Sequence, residues 1–313
     1  ERPAVTLGEA EIRLRRTMLD PAAPALDRLV ALEVLTSAPR AWWEPARFAG
    51  VSEQGPDRPI LPQTIRLSPS QADAYTSCPR RYALERRMRL GDSSSPYAQF
   101  GTLVHAALER AERENLGTGA PHAPLEDALE HLEAVWAEAD FGTPQLNEAW
   151  LRHAREAMTK LYEHWPAPNA IPLEVERRVE MTVDGVPWLG YIDRLERGPK
   201  GLRVIDYKTT RNAPTIADAE QSIQLGFYAA AVTDEMGEPV VEAEMWFPRT
   251  KANSVSIRRL DMSRSDDLRQ VMEEVTRAIT SETWEPRVSD RCNRCDFRLS
   301  CPAWPEGRGA FIP

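Results

Sequence analysis

Between Trp188 and Thr210 the chain reads WLGYIDRLERGPKGLRVIDYKTT. Three of these residues, Asp193, Asp206 and Lys208, have the chemistry to hold a cation beside a fixed positive charge. The segment Arg197-Gly198-Pro199-Lys200-Gly201 carries the Gly/Pro punctuation of a hairpin connection. If residues 198 to 201 form the loop, Arg197 pairs with Leu202 and Asp193 falls opposite Asp206. Directly opposed strand residues have Cβ atoms roughly 4.5–5.5 Å apart, and like charges placed so are destabilising. A divalent cation between the two carboxylates is the most economical reason for such a pair, because hard cations take oxygen ligands. A solvated strand face is the alternative. Asp206 and Lys208 share one strand parity, so the ammonium group lies next to the acids.

The elements that position these residues follow from periodicity. Leu173, Val175, Arg177, Val179, Met181 and Val183 alternate as a strand, and Asp184-Gly185 turns the chain into the hairpin. Before it come amphipathic helices. One starts at Ser68-Pro69 with Ser68 as N-cap and Gln71 completing a capping box, and runs on through Cys78-Pro79-Arg80-Arg81-Tyr82 to Arg89. One opens at Gly101 and carries His105 beside a stripe of Val104, Ala107, Leu108 and Ala111. One holds Leu125 to Trp136, and one Leu151 to Trp165. After the hairpin a helix from Pro214 to Gly237 carries Gln221, Gln224, Leu225, Tyr228 and Val232 on one face. Strands at Val240–Phe247 and 254–260 and a helix with Leu268, Val271, Met272, Val275 and Ile279 complete the order. The hairpin is antiparallel and the helical crossover wants a parallel return, so the fold class is α/β with a mixed sheet.

The 313 residues are 42% hydrophobic and 28% charged, ordinary for a globular protein, and the net charge is −9. That total argues against a general nucleic-acid coat protein, though not against a local basic groove. Arg80, Arg81, Arg86, Arg87 and Arg89 crowd ten residues, either as a solvated face or as a phosphate-contacting patch. No run approaches the roughly 18 apolar residues of a membrane helix, and no signal-peptide pattern opens the chain; a cytoplasmic protein is expected. Residues 38–62 are Pro-rich and read as a linker or wrapping arm, with Trp42-Trp43 docking on something. A helix is expected near 24–36, with Leu26, Leu29, Val30 and Leu32 apolar. The lack of an initiator Met suggests a piece of a longer chain. The four cysteines, Cys78, Cys292, Cys295 and Cys301, end in a C-x2-C-x5-C pattern that in an intracellular chain is more often a metal or cluster site than two disulfides. Thiolates in that number suit zinc or an iron–sulfur cluster.

Gly-Thr-x-x-His at Gly101–His105, Gly-x-x-Asp at Gly190–Asp193, Asp-x-Lys at Asp206–Lys208 and Gln-x-x-x-Tyr at Gln224–Tyr228, in that order, resemble the PD-(D/E)xK nuclease superfamily in its RecB-like branch. Cys78 together with C-x2-C-x5-C looks like the iron–sulfur staple of AddB-type nucleases. Ser-Pro-Ser and Cys-Pro-Arg-Arg-Tyr are similar to the C-terminal nuclease domain of actinobacterial AdnA/AdnB (AddAB/RecBCD-type) helicase–nucleases.

The resemblance implies a restriction-endonuclease-like mixed sheet flanked by helices, with residues 66–313 as nuclease domain and 1–65 as the tail of a preceding helicase region. It implies that His105, Asp193, Asp206 and the Tyr207 carbonyl bind Mg2+ or Mn2+. Lys208 would position the attacking water, and Gln224 and Tyr228 would support the site from the next helix. Arg80, Arg81, Arg86 and Arg87 would contact DNA. Cys78, Cys292, Cys295 and Cys301 would hold a 4Fe-4S cluster, with zinc as the alternative. That shared site would tie together positions about 200 residues apart, a closure worth roughly 5 kcal/mol in the chain-entropy model. The partners implied are single-stranded DNA, a helicase motor in the same full-length chain and a partner helicase–nuclease subunit. The sequence itself lacks a phosphate-binding G-x-x-x-x-G-K-[ST] loop. A stand-alone CRISPR-adaptation-type exonuclease and a catalytically silent DNA-binding scaffold are the rival readings.

Overall fold

The change of period near residue 171 is where the sheet begins. The computed structural model describes residues 7–36, 64–90 and 95–305, and the chain divides into two units, 1–59 and 60–313. The first unit holds α1 (Leu7–Leu19) and α2 (Ala25–Thr36). The second helix lies where the sequence places it, but its packing differs: Ala31 and Leu35 are buried, whereas Leu26, Leu29, Val30 and Leu32 are exposed. The Pro-rich arm and Trp42-Trp43 lie outside the described residues.

In the second unit α3 (Pro69–Ser77), α4 (Pro79–Tyr82), α5 (Pro96–Asn115), α6 (Leu125–Trp136) and α7 (Pro144–Glu163) precede β1 (Ile171–Val183), β2 (Val186–Gly198) and β3 (Gly201–Tyr207). Then come α8 (Ile216–Ala219), α9 (Ile223–Met236), β4 (Val240–Phe247), β5 (Ser256–Arg259) and α10 (Ser265–Thr280). The strands form one sheet in sequence order, antiparallel except for the parallel β3–β4 pair that the α9 crossover makes. Helices α3, α9 and α10 cover one face, over Trp188, Ile192, Leu195, Val204 and Met245. Helices α5, α6 and α7 cover the other, over Ile205, Tyr207 and Trp246. Alternating residues of β3 therefore feed two cores, as a centrally placed strand must. Among the described residues no helix is long and apolar enough to cross a membrane.

Local chemistry explains where the observed elements depart from expectation. Helix α5 starts at Pro96 under Ser95, whose side chain accepts from the Tyr97 N–H, so Gly101 is internal and not the helix start. The helix expected from Pro214 is two: α8 ends at Ala219, and α9 restarts with Ser222 as its own cap, leaving Gln221 in the turn between. Gly237 at φ 66° closes α9. Ser68 caps α3 as expected, but Gln71 does not reach back; its Oε1 accepts instead from the Tyr82 hydroxyl (3.1 Å) and from Arg87 (3.0 Å). Cys78 is extended (φ −163°, ψ 107°) because it precedes Pro79, which disfavours the helical region. The helix expected to run through to Arg89 breaks there, and α4 restarts at Pro79.

One buried network crosses the sheet under α5. Arg194, fully buried, reaches Glu112 of α5 at 2.6 Å and Glu196 at 2.7 Å. Tyr162 of α7 donates to Glu112 at 2.7 Å. Arg203 of β3 continues the chain to Glu196 (3.1 Å) and to Glu244 of β4 (2.9 Å), and Glu244 also accepts from Trp246 Nε1 at 2.6 Å. Removing one member of such a network leaves an uncompensated buried charge, which typically costs about 3–5 kcal/mol. Glu112→Ala should therefore destabilise the protein by that order in chemical denaturation. Glu133→Ala, which removes an exposed pair with Arg155, should change stability by less than about 1 kcal/mol.

Candidate active site

Three acids line up where the strands of the meander part. The ladder between β2 and β3 runs Gly198↔Gly201, Arg197↔Leu202, Glu196↔Arg203, Leu195↔Val204 and Arg194↔Ile205, and stops. That is the register expected from the hairpin, with a turn shortened to Pro199-Lys200. Asp193 and Asp206 are the next residues, just past the last rung. Beyond that rung Asp193 Oδ2 accepts the Tyr207 backbone N–H at 2.5 Å, so a side chain takes a donor that a continued ladder would use.

On the other side of β2 the pairs Val175↔Arg194 and Arg177↔Ile192 bracket a row holding Glu176 and Asp193. Glu176 adopts the left-handed region at φ 49°, uncommon for a side-chain-bearing residue and a frequent mark of functional sites. The result is Glu176, Asp193 and Asp206 side by side across β1, β2 and β3. His105 Nδ1 comes down from α5 to within 3.1 Å of Asp193 Oδ1. One ligand atom from each of His105, Glu176 and Asp193 fits within a 4.8 Å group.

Lys208 and α9 hold Asp206. The Lys208 ammonium is 2.7 Å from Asp206 Oδ2 and donates to Gln224 Oε1 at 2.7 Å. Gln224 Nε2 donates to Asp206 Oδ1 at 2.8 Å and reaches the Tyr228 hydroxyl at 3.0 Å. One amide thus fixes the acid and the ammonium together, and the four-residue spacing puts Tyr228 on the same helical face. Buried Asp206 Oδ2 has the Lys208 ammonium as its charged neighbour. A carboxylate oxygen has a second lone pair, which a cation could take. The Gly of Gly-x-x-Asp has a packing cause: a Cβ at Gly190 would come 2.7 Å from the Tyr228 ring and 2.8 Å from Phe227. A cleft of about 460 Å³ bounded by Ser68, Tyr191, Gln224 and Tyr228 opens beside this cluster.

The electrostatics are those of a site short of positive charge. Burial pushes the Glu176 carboxyl up to about 7, with Asp193 and Glu109 adding to it. Burial likewise raises Asp206 to about 6, against the opposing pull of Lys208. Burial alone would depress His105, but the Asp193 carboxylate beside it overcomes that and lifts it to about 9, helped by Asp206. Lys208 is raised too: burial opposes its charge, and Asp206, Asp193 and Asp73 outweigh it. Crowded carboxylate oxygens with an imidazole nitrogen nearby fit a hard divalent ion such as Mg2+ or Mn2+.

The four thiols are free and half-buried. Arg291 donates to Ser77 Oγ at 2.8 Å, Arg80 to the Ser300 carbonyl at 3.3 Å, and Arg287 to the Thr76 carbonyl, so the C-terminal Cys-bearing coil is tied to the α3–α4 joint that carries Cys78. Burial pushes the Cys295 thiol up, and neighbouring Cys78 and Cys292 add to the effect. The Arg cluster is largely occupied within the fold. Arg81 pairs with Glu85 at 2.6 Å, Arg87 bonds Gln71 and Tyr82, and Arg80 holds Ser300, while Arg86 is exposed.

Glu176 is the residue that sequence reasoning missed. The alternation of Val175 and Val179 assigns its parity to solvent. A signal existed: Asp184-Gly185 as a two-residue turn pairs Val183 with Val186, and that register puts Glu176 opposite Asp193.

A family model described as the PD-(D/E)XK nuclease superfamily matches residues 66–302. The chain is 26% identical over 269 residues to the Gene 69 protein of Mycobacterium phage D29, covering 76% of this chain and 96% of that protein. It is 28% identical over 230 residues to one subunit of an ATP-dependent helicase/deoxyribonuclease of Moorella thermoacetica, covering 59% of this chain and only 19% of that subunit. A solved structure of a candidate exonuclease from Eubacterium rectale matches 74% of this chain and 86% of its own at a TM-score of 0.45 and 15% identity.

Glu176, Asp206 and His105 all bind their protons more tightly in this fold than in an unfolded chain. Their contribution is full at low pH and is lost as pH rises through about 6, 7 and 9 in turn. Metal-free protein should therefore melt at higher temperature as pH falls from 9 towards 6. Binding of Mn2+ needs those groups deprotonated, so its affinity should rise with pH and each binding event should release protons. Titration calorimetry in two buffers of different ionisation enthalpy reads that release directly; equal heats would contradict it.

Proposed function

Because the chain belongs to the PD-(D/E)XK nuclease superfamily, we propose that it hydrolyses the phosphodiester bonds of DNA, chiefly single-stranded, with Mg2+ or Mn2+. His105, Asp193, Asp206 and the Tyr207 carbonyl would hold the metal, with Glu176 added to that set. The row of three acids across β1, β2 and β3, with His105 and Lys208 as the cations beside it, is the observation that carries this reading. The ion, when bound, would polarise the phosphoryl group and make water a stronger nucleophile. Lys208, held by Gln224 and Asp206, presents fixed charge where negative charge grows on the phosphate oxygens. Tyr228 and Gln224 act through Asp206 and are positioning residues.

The wider reading is the nuclease portion of a helicase–nuclease that processes double-strand breaks in recombinational repair, beside a motor in the same full-length chain and a partner subunit. The similarity to one-fifth of a helicase/deoxyribonuclease subunit supports it. A free-standing nuclease is the second reading, favoured by the match to nearly the whole length of a phage protein. Cys78, Cys292, Cys295 and Cys301 would bind a 4Fe-4S cluster, or zinc, as a structural staple. The ties between the α3–α4 joint and the C-terminal coil support that role, and exposed Arg86 is the outward-facing candidate for a DNA phosphate contact.

On end-labelled single strands the chain should cleave when Mn2+ or Mg2+ is present and not in chelator. Asp206→Asn should abolish cleavage with the fold intact, and Lys208→Ala should slow it by about 10²–10³-fold. Undiminished cleavage by Asp206→Asn would remove the reading. Cys78→Ala should lose bound iron or zinc by elemental analysis and melt at markedly lower temperature; a variant equally stable to heat would count against the staple.

A further inference from the structure

A second cleft, about 500 Å³, opens beside the segment that follows Lys208, and it is lined by cations in a chain whose total charge is −9. His153, Lys160, Arg211, Arg249 and Lys251 face it, with Glu156 as the acid among them. Two of these groups have structural work. Lys160 donates to the Thr250 carbonyl at 2.9 Å and to that of Ala252. Arg249 donates to the Thr209 carbonyl at 2.9 Å and lies 4.2 Å over the Phe100 ring. Arg211 and Lys251 are exposed.

The cleft groups touch one another. Arg211 donates to His153 Nε2 at 3.5 Å, a bond that the neutral imidazole accepts. Burial, then Arg211, depresses both His153 and Arg249. The NH2 group of Arg249 is buried without a hydrogen-bond partner. Arg211 and Arg249 are thus like charges close enough to disfavour one another, and an anion between them relieves both.

The cleft has a fixed relation to the row of acids. Arg211 follows Lys208 by three residues, which span at most about 10 Å. Outside the cleft's own lining, Tyr97 and His105 lie on the same helix, eight residues and hence about 12 Å apart. Tyr97 is 70% exposed and stands edge-on to Trp150 at 5.3 Å, and the Trp150 ring in turn lies 6.0 Å from the Arg249 guanidinium. An exposed ring beside a basic cleft is the pairing by which single strands are held: backbone phosphates on cations, bases on aromatic faces.

We propose that this cleft is a subsite for a single DNA strand passing the acids, with Arg211, Arg249 and Lys251 on its phosphates and Tyr97 stacked on a base. The proposal rests on the nuclease reading and adds the path of the substrate beyond the scissile bond. It also shows how an acidic chain can hold a polyanion.

Fluorescence anisotropy of a labelled oligothymidylate with the full 313-residue chain, in chelator so that nothing is cut, tests it. Arg211→Gln with Lys251→Gln removes two phosphate contacts at exposed positions. The slope of log affinity against log salt should become shallower by about 1.4, since each single-strand contact contributes about 0.7. Tyr97→Ala should weaken binding about 5- to 150-fold, and Tyr97→Trp should restore it. A double variant with wild-type affinity and slope overturns the subsite, and if the wild type still cleaves with Mn2+, the nuclease reading stands. A wild type that neither binds nor cleaves the strand removes both. Loss of melting temperature in Tyr97→Ala without loss of affinity shows a packing role alone and overturns the stacking platform.

Discussion

The ion pair between Glu112 and Arg194 sets the relation on which the candidate site depends. It joins α5 to β2 inside the protein, where neither charge can turn to water. Two helical turns before Glu112, the same helix carries His105. One residue before Arg194, the same strand carries Asp193. Helix and strand therefore meet twice, once through a satisfied internal pair and once through a histidine–carboxylate contact at the edge of the acids. The first contact is rigid because every member has partners: Tyr162 and the Ala123 N–H on Glu112, Glu196 on Arg194. The second inherits its geometry. A buried ionic chain of this kind need not add stability over apolar packing, but it specifies which residue stands opposite which, and a metal site needs that.

The opposite layer works differently. Helix α9 reaches the site through one amide, Gln224, which touches both Asp206 and Lys208. Its approach is set by apolar packing of Phe227 and Tyr228 against Gly190, where no larger residue fits. One side of the sheet thus positions its ligand by charge and the other by shape. Asp193 and Asp206 lie between them, at the point where β2 and β3 stop pairing.

Much of this arrangement was legible in the residues. The hairpin register followed from the spacing of Gly198 and Gly201, and the mixed sheet followed from one helical crossover. Helix caps such as Ser68, and turns such as Asp184-Gly185, announced themselves through residue type. What escaped was non-local or broke a local rule. Glu176 looks like a solvent charge on an alternating strand; only its left-handed backbone and the register across β1 and β2 bring it to Asp193. Arg80, Arg81 and Arg87 look like an outward basic stripe, yet their partners lie one turn on, back on α3, or more than two hundred residues along the chain. The basic cleft was invisible for the same reason, since its walls come from α7 and the loops after β3 and β4, and no short window contains them.

The meander of β1, β2 and β3 has a consequence for the order in which the protein assembles. All three acids arise from one uninterrupted stretch, folded back by two turns of two residues each, so their meeting costs little loop entropy. Lys208 follows Asp206 by two residues and arrives with it, whereas His105 meets Asp193 across 88 residues of chain. The nascent chain can therefore bring three carboxylates together early with one ammonium among them, and the imidazole late. Free divalent ions, or protons, are what can ease that interval, which ties the maturation of the domain to the ionic medium in which it emerges.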